Sequence, residues 1–309
     1  MSGTRATAKR IVRRLAIDTL KLAFKLFAWQ PFRRIQGVRA LVFDTAPDNT
    51  LFISRRSSET FIVSANDKSI GRQIYLVGFS DFQKLEKTVQ FLGPDRSNDL
   101  LIDVGANIGT ICIPAVNRRI FARSIAIEPE PFNFLLLQCN IQLNHLHSKI
   151  NAYNIALGSR ETERVIFELS KNNYGDHRVR FAGADAGLYG EKEREIVVVP
   201  SEPFDKIICD VNPNNTLIWI DTQGYEGHIL QGASKALSRK PPLVIEFWPY
   251  GMKRSGAYPL LKEAIFKAGY QIFYDLESST SGVPVNAGTL DELYDKLGES
   301  GNFTDILLR

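Results

Sequence analysis

From residue 100 onward the chain alternates short apolar runs with stretches of helical period, and this alternation limits the folds open to it. The runs are LLIDV (100–104), SIAIE (124–128), INAYNIAL (150–157), LIWIDT (217–222), PLVIEFW (242–248), YQIFYDL (270–276) and FTDILLR (303–309). Helical patterns stand at 130–143, 226–238, 258–268 and 290–297, and another opens near Asn107. Strands that are apolar on both sides must be covered on both sides. The pattern therefore predicts an α/β fold, a mostly parallel sheet with helices on both faces. VIFEL (165–169) and EIVVVP (195–200) bracket a loop rich in Gly, Asn and Asp. The stretch 170–190 is long for a connection and reads as a lid or binding loop.

Upstream the pattern differs. VRALVF (38–43), TLFIS (50–54), TFIVS (60–64) and IYLVG (74–78) read as short strands, followed by a helix over 81–92. The first 40 residues hold ten Lys/Arg against one acid, Asp18. That segment is +9, which leaves −5 for the rest of a chain of net charge +4. Over 10–28, Arg10, Arg14, Asp18, Lys21 and Lys25 form one stripe of a helix whose wide opposite face is apolar. Charges interrupt it too often for a membrane span or a signal peptide. It reads first as a helix docked on the body or on a second subunit. The second reading is a helix lying on an anionic membrane, at the inner face of a cytoplasmic membrane. The chain then divides into an arm (1–35), an N-terminal extension (36–98) and a main domain (99–309). At 309 residues, one large core with attachments is expected.

Three separated cysteines without a CxxC, and four histidines without HExxH, give no ligand set for a metal, and a reduced, cytoplasmic protein is the default. The acidic body lacks the basic patch that nucleic-acid binding needs.

The motif that carries chemistry is Asp103-Val104-Gly105-Ala106-Asn107-Ile108-Gly109, where an apolar strand meets a helix. Gly105 permits a tight turn, Gly109 permits close helix packing, and the N–H groups of the helix start are expected to face a ligand. Glu128 ends the next strand, where an acid can accept hydrogen bonds from ribose hydroxyls. A dinucleotide fingerprint needs a middle glycine, and Ala106-Asn107 stand in its place. The spacing fits a nucleoside without a pyrophosphate, such as S-adenosylmethionine (SAM). The bland alternative is an ordinary strand-to-helix turn.

Taken together, DVGANIG (103–109), EPEPFNF (128–134), NIALG (154–158), YGDHRV (174–179), IDTQGYEGHILQGA (220–233) and EFWPYGM (246–252) resemble the FkbM family of SAM-dependent methyltransferases. The resemblance implies a Rossmann-like class I methyltransferase fold with a small N-terminal helix and strand extension before it. It implies SAM as cofactor. Asp103, Gly105, Ala106, Asn107 and Gly109 would line its methionine end, Glu128 and Pro129 its ribose, Asn154, Ile155 and Ala156 its adenine, and Asp221 the adjoining strand end. It also implies O-methylation of a hydroxyl on a sugar, glycan, lipid-linked or polyketide-type acceptor. Many relatives carry Val-Glu where this chain has Thr222-Gln223.

A hydroxyl acceptor needs a base within reach. The candidates are His177, the one histidine inside a motif, and Asp221 and Glu246, which end neighbouring strands. Two readings from other classes remain: a nicotinamide-dependent oxidoreductase, and a non-catalytic binding module on the same fold.

Overall fold

The computed structural model describes residues 35–78, 82–159, 164–181, 187–209, 211–278 and 281–309, with 14, 15, 17–19, 21, 22 and 25. The helix expected over 10–28 lies largely outside the described residues, and its described positions are helical.

The extension comprises α1 (Gln36–Asp44), β1 (Leu51–Ser54), β2 (Phe61–Ser64), α2 (Ile70–Val77) and α3 (Phe82–Leu92). The main domain begins with β3 (Leu100–Val104), α4 (Cys112–Asn117), β4 (Arg123–Ile127), α5 (Pro131–Leu143), β5 (Ile150–Tyr153) and β6 (Ala156–Gly158). Next come β7 (Val165–Leu169), β8 (Arg178–Val179), β9 (Glu195–Val199), β10 (Ser201–Pro203), α6 (Phe204–Ile207) and β11 (Thr216–Ile220). The chain closes with α7 (Glu226–Gln231), α8 (Ser234–Leu237), β12 (Leu243–Phe247), α9 (Pro249–Ser255), α10 (Ala257–Ala268), β13 (Ile272–Asp275), β14 (Val283–Pro284), α11 (Ala287–Leu297) and β15 (Thr304–Leu308).

The central sheet has eight strands in the order β14-β13-β15-β12-β11-β3-β4-β5. The five from β12 to β5 are parallel. The last strand, β15, inserts antiparallel between β12 and β13. Period-two alternation sorts its side chains. Leu100, Ile102 and Val104 of β3 enter one core with α7, α8 and α10. Leu101, with Trp219 and Val244 of the neighbouring strands, enters a second core with α4 and α5. The extension is part of that second core through Phe43, Phe61, Val63, Ile74, Phe82 and Leu85.

Two of the expected strands are helices. VRALVF lies in α1 and IYLVG ends α2. Short apolar runs do not separate strand from buried helix by period alone. Here packing decides: Phe43 of α1, Phe52 of β1 and Tyr75 of α2 cluster at 4.8–5.4 Å between ring centroids. Asp67 fastens the start of α2 by accepting the Gly71 N–H at 2.7 Å. Gly78 stops it at φ +99, a left-handed C-cap. INAYNIAL also divides. Its first half is β5, and its second half leaves the sheet to pair with β10.

Candidate functional site

The chain runs outward from β3 through β4 to β5, then returns to the other side of β3 as β11. The order reverses between β3 and β11, and ligands of open α/β sheets bind at the carboxyl ends flanking such a reversal. A cavity of about 240 Å³ opens there. Asp103, Gly105, Asn107, Asp221, Gln223 and Glu246 line it from the strand ends. Asn173, Gly175, Asp176 and Tyr189 line it from the long loop, part of which (182–186) lies outside the described residues. A smaller cavity of about 40 Å³ holds Glu128, Pro129, Asn133, Tyr174 and His177. Gly105, Asn107, Gly175, Asp221 and Gln223 line both, so the two join at the ends of β3 and β11.

The turn after β3 is built around Gly105 at φ +86. A methyl group on its Cα would overlap the Asp221 carbonyl. Only glycine lets these two loops touch. Asn107 also adopts a left-handed conformation, φ +50, and regular helix begins later than expected, at Cys112. The N–H groups expected to face a ligand have internal partners instead. Asn107 N–H donates to Glu128 Oε2 at 2.8 Å, Ile108 N–H to Asn107 Oδ1 at 2.7 Å, and Cys112 N–H to Asp103 Oδ2 at 3.1 Å. The carboxylates, more than the helix start, therefore form the polar wall.

Glu128 is held on both oxygens, since Oε1 accepts the Glu130 N–H at 2.8 Å. Burial outweighs these bonds and pushes its carboxyl up to about 8. Burial likewise raises Asp103 to about 6. Asn154 lies behind the wall, where Nδ2 donates to the Glu128 and Pro129 carbonyls at 2.9 Å each. Ile155 and Ala156 line a third recess of about 20 Å³ beside Gly105 and Pro129. Ala106 is buried under the turn, and Gly109 packs on Ile113 and Leu137.

Gln223 ties the strand ends together. Its Nε2 donates to Asp221 Oδ1 at 2.8 Å and to both Glu246 oxygens at 3.1 Å. Burial first, then the charges of Asp221, Glu226 and Asp305, keep the Glu246 carboxyl well above the ordinary range. His177 accepts the Ser170 N–H on Nδ1 at 3.0 Å. Burial, aided by the Arg194 charge, lowers it to about 3.

Several lining residues had no local signal. Ser69, Ile70 and Lys84 come from the extension, and Phe303 and Asp305 from the C-terminus. Lys84 pairs with Asp305 at 2.6 Å and Glu277 at 3.1 Å. The larger cavity thus has five acids (Asp103, Asp176, Asp221, Glu246, Asp305) and, among the described residues, one lysine. Among these residues no cluster of three or more His, Cys, Asp or Glu could hold a metal ion. No helix among them is long and apolar enough to cross a membrane.

Strand order, reversed final strand and acid-rimmed switch point together define the class I methyltransferase fold. The family model of the methyltransferase FkbM domain matches residues 103–272, and the chain belongs to that family. Among solved structures, the FkbM methyltransferase of Methylobacillus flagellatus is 20% identical with a TM-score of 0.41, over 69% of this chain and 44% of that one. The chain thus spans less than half the length of that relative. TYW2 of M. jannaschii, solved with AdoMet, is 14% identical with a TM-score of 0.38, over 85% and 87% of the two chains. The tRNA methyltransferase TrmK of B. subtilis is 12% identical with a TM-score of 0.38, over 73% and 64%. No curated protein matches the sequence.

Proposed function

We propose that this chain is a SAM-dependent methyltransferase that methylates a hydroxyl oxygen of a sugar, glycan or polyketide-type acceptor. The two carboxyl groups at the ends of β3 and β11, Asp103 and Asp221, are the observation that carries the cofactor half of this reading. A sulfonium and an ammonium are cations, so acids favour them and oppose the two phosphates of a nicotinamide dinucleotide. The residues present fit SAM. Glu128 keeps lone pairs for ribose hydroxyls beyond its two backbone N–H partners, and Asp103 and Asp221 flank the joined cavities.

When bound, SAM supplies an electrophilic methyl group for in-line displacement. The chain's own residues align the acceptor, exclude water and take its proton. Asp221 is the group that fits the proton acceptor. Glu246 is fully engaged by the Gln223 amide, and burial with the neighbouring acids holds its carboxyl well above the ordinary range, so it fits that role less well. His177 has Nδ1 engaged by Ser170, leaving Nε2 as a donor, and a ring that stays neutral down to about pH 3 binds a proton weakly. His177 is therefore better read as an anchor of its loop. Trp219, Tyr189, Trp248 and Phe303 line the same cavity as the carboxylates. Aromatic side chains next to hydrogen-bond acceptors suit the C–H groups and hydroxyls of a sugar.

The acceptor is taken to be a small molecule or a glycan or lipid-linked group, with no nucleic acid partner. The basic arm is assigned contact with a membrane surface or a second subunit in a cytoplasmic protein. Calorimetry with SAM, S-adenosylhomocysteine and NAD tests the cofactor reading. Binding of the first two without NAD is expected, and the reverse refutes it. Methyl transfer from labelled SAM to a panel of hydroxylated acceptors separates an enzyme from a non-catalytic module.

A further inference from the structure

Asn133 stands at the third position of α5 and is 1% exposed. Its main-chain N–H donates to the Glu130 carboxylate at 2.6 Å. Its side-chain Nδ2 donates to the Tyr174 carbonyl at 3.0 Å, and Asn107 Nδ2 donates to the same carbonyl at 3.1 Å. These contacts settle which end of the Asn133 amide is which. Turning it over would set oxygen against oxygen at Tyr174. The carbonyl end, Oδ1, is buried and has no hydrogen-bond partner among the described residues.

A buried acceptor without a donor is an unfavourable arrangement that folded proteins seldom keep. Here it belongs to a residue in the wall of the smaller cavity, together with Glu128. Glu128 has one backbone N–H on each oxygen, and a carboxylate oxygen has room for more than one donor. The wall therefore holds two acceptors on separate elements, Glu128 at the end of β4 and the buried Asn133 Oδ1 on the first turn of α5. The matching ligand feature is a pair of neighbouring hydroxyl donors.

Resting on the SAM reading above, we propose that Asn133 Oδ1 is a second ribose-binding group. It takes one hydroxyl of the nucleoside's vicinal diol while Glu128 takes the other. Recognition is divided between a carboxyl group and a neutral amide. The amide's other end holds the Tyr174 carbonyl, so the same side chain links ribose binding to the loop that covers it.

The test is calorimetric and needs no methyl acceptor. S-adenosylhomocysteine and its 2′-deoxy and 3′-deoxy analogues are titrated into the wild-type chain, Asn133→Leu and Glu128→Gln. In the wild type both deoxy analogues should bind at least about 5-fold more weakly than the parent, because each hydroxyl has its own acceptor. Asn133→Leu should weaken the parent roughly 10-fold and become indifferent to one of the two hydroxyls. Glu128→Gln should remain sensitive to that hydroxyl. If Asn133→Leu does not fold, the wild-type series decides. Sensitivity to only one hydroxyl, or to neither, overturns the two-acceptor assignment. Equal sensitivity of Asn133→Leu and wild type to both hydroxyls also overturns it, while leaving the cofactor reading standing. Failure of the wild type to bind S-adenosylhomocysteine refutes the cofactor reading and this assignment with it.

Discussion

Replacing Gly105 by alanine tests the joint on which the site is built. Gly105 sits at φ +86, and an added Cβ would overlap the Asp221 carbonyl oxygen and lie 2.9 Å from its carbon. Three costs combine. A left-handed backbone costs an L-residue about 1–2 kcal/mol. Forcing a methyl group into packed backbone costs about 1–3 kcal/mol. Parting the loops also strains the hydrogen bond from Asp221 N–H to the Val104 carbonyl, 3.0 Å long, worth about 1 kcal/mol. Gly105→Ala should therefore lose about 3–6 kcal/mol. A domain of this size loses about 2–4 °C of Tm per kcal/mol, so scanning calorimetry should show a fall of at least about 6 °C. S-adenosylhomocysteine binding should be lost as Asp221 is displaced. Gly93 supplies the control. It has nearly the same backbone angle, φ +92, but its Cβ would meet nothing within 4 Å. Gly93→Ala should cost only the backbone share, about 1–2 kcal/mol. Equal losses at both glycines would show that backbone angle alone matters, and the close-approach argument would be wrong.

Two further outcomes follow from the carboxyl groups. Burial raises Glu128 from 4.5 to about 8, so the folded chain holds a proton that the unfolded chain releases between those values. Its contribution is fully present below 4.5 and is lost as pH rises through 8, with a slope of at most about 1.4 kcal/mol per pH unit. Glu128→Gln removes that slope, so urea denaturation at pH 6.5 and 8.5, with the Asp103 contribution common to both proteins, should show the variant gaining on wild type. A constant gap would show that Glu128 is ionised throughout. Gln223→Met keeps the side-chain length but removes the N–H groups between Asp221 and Glu246. It should cost about 1–3 kcal/mol in the same assay and weaken SAM binding. Wild-type values for both would mean that the bridge is incidental.

The sequence by itself determined the sheet, its helical cover and the strand ends where the candidate site lies. LLIDV, LIWIDT and PLVIEFW are apolar on both faces, and a strand with two buried faces has few arrangements open to it. DVGANIG announced the turn because only glycine tolerates the backbone and the contact at position 105. Glu128 was legible because it follows the strand after the glycine turn, where an acid can accept hydrogen bonds from ribose hydroxyls. Tertiary structure alone decided the rest. VRALVF and IYLVG became helices because Phe43 and Tyr75 needed each other, and no local period records a contact across 32 residues. Lys84 and Asp305 meet at 2.6 Å only after β15 inserts between β12 and β13. His177 looked like a base from its motif, but the Ser170 N–H and its burial are properties of the folded loop. Gln223 stood out only as a departure from the Val-Glu of relatives, and its amide bridges two carboxylates because β11 and β12 end side by side. Local pattern records which faces are buried. It does not record which distant groups burial brings together, and those pairings set the charge and the hydrogen-bonding capacity of the site.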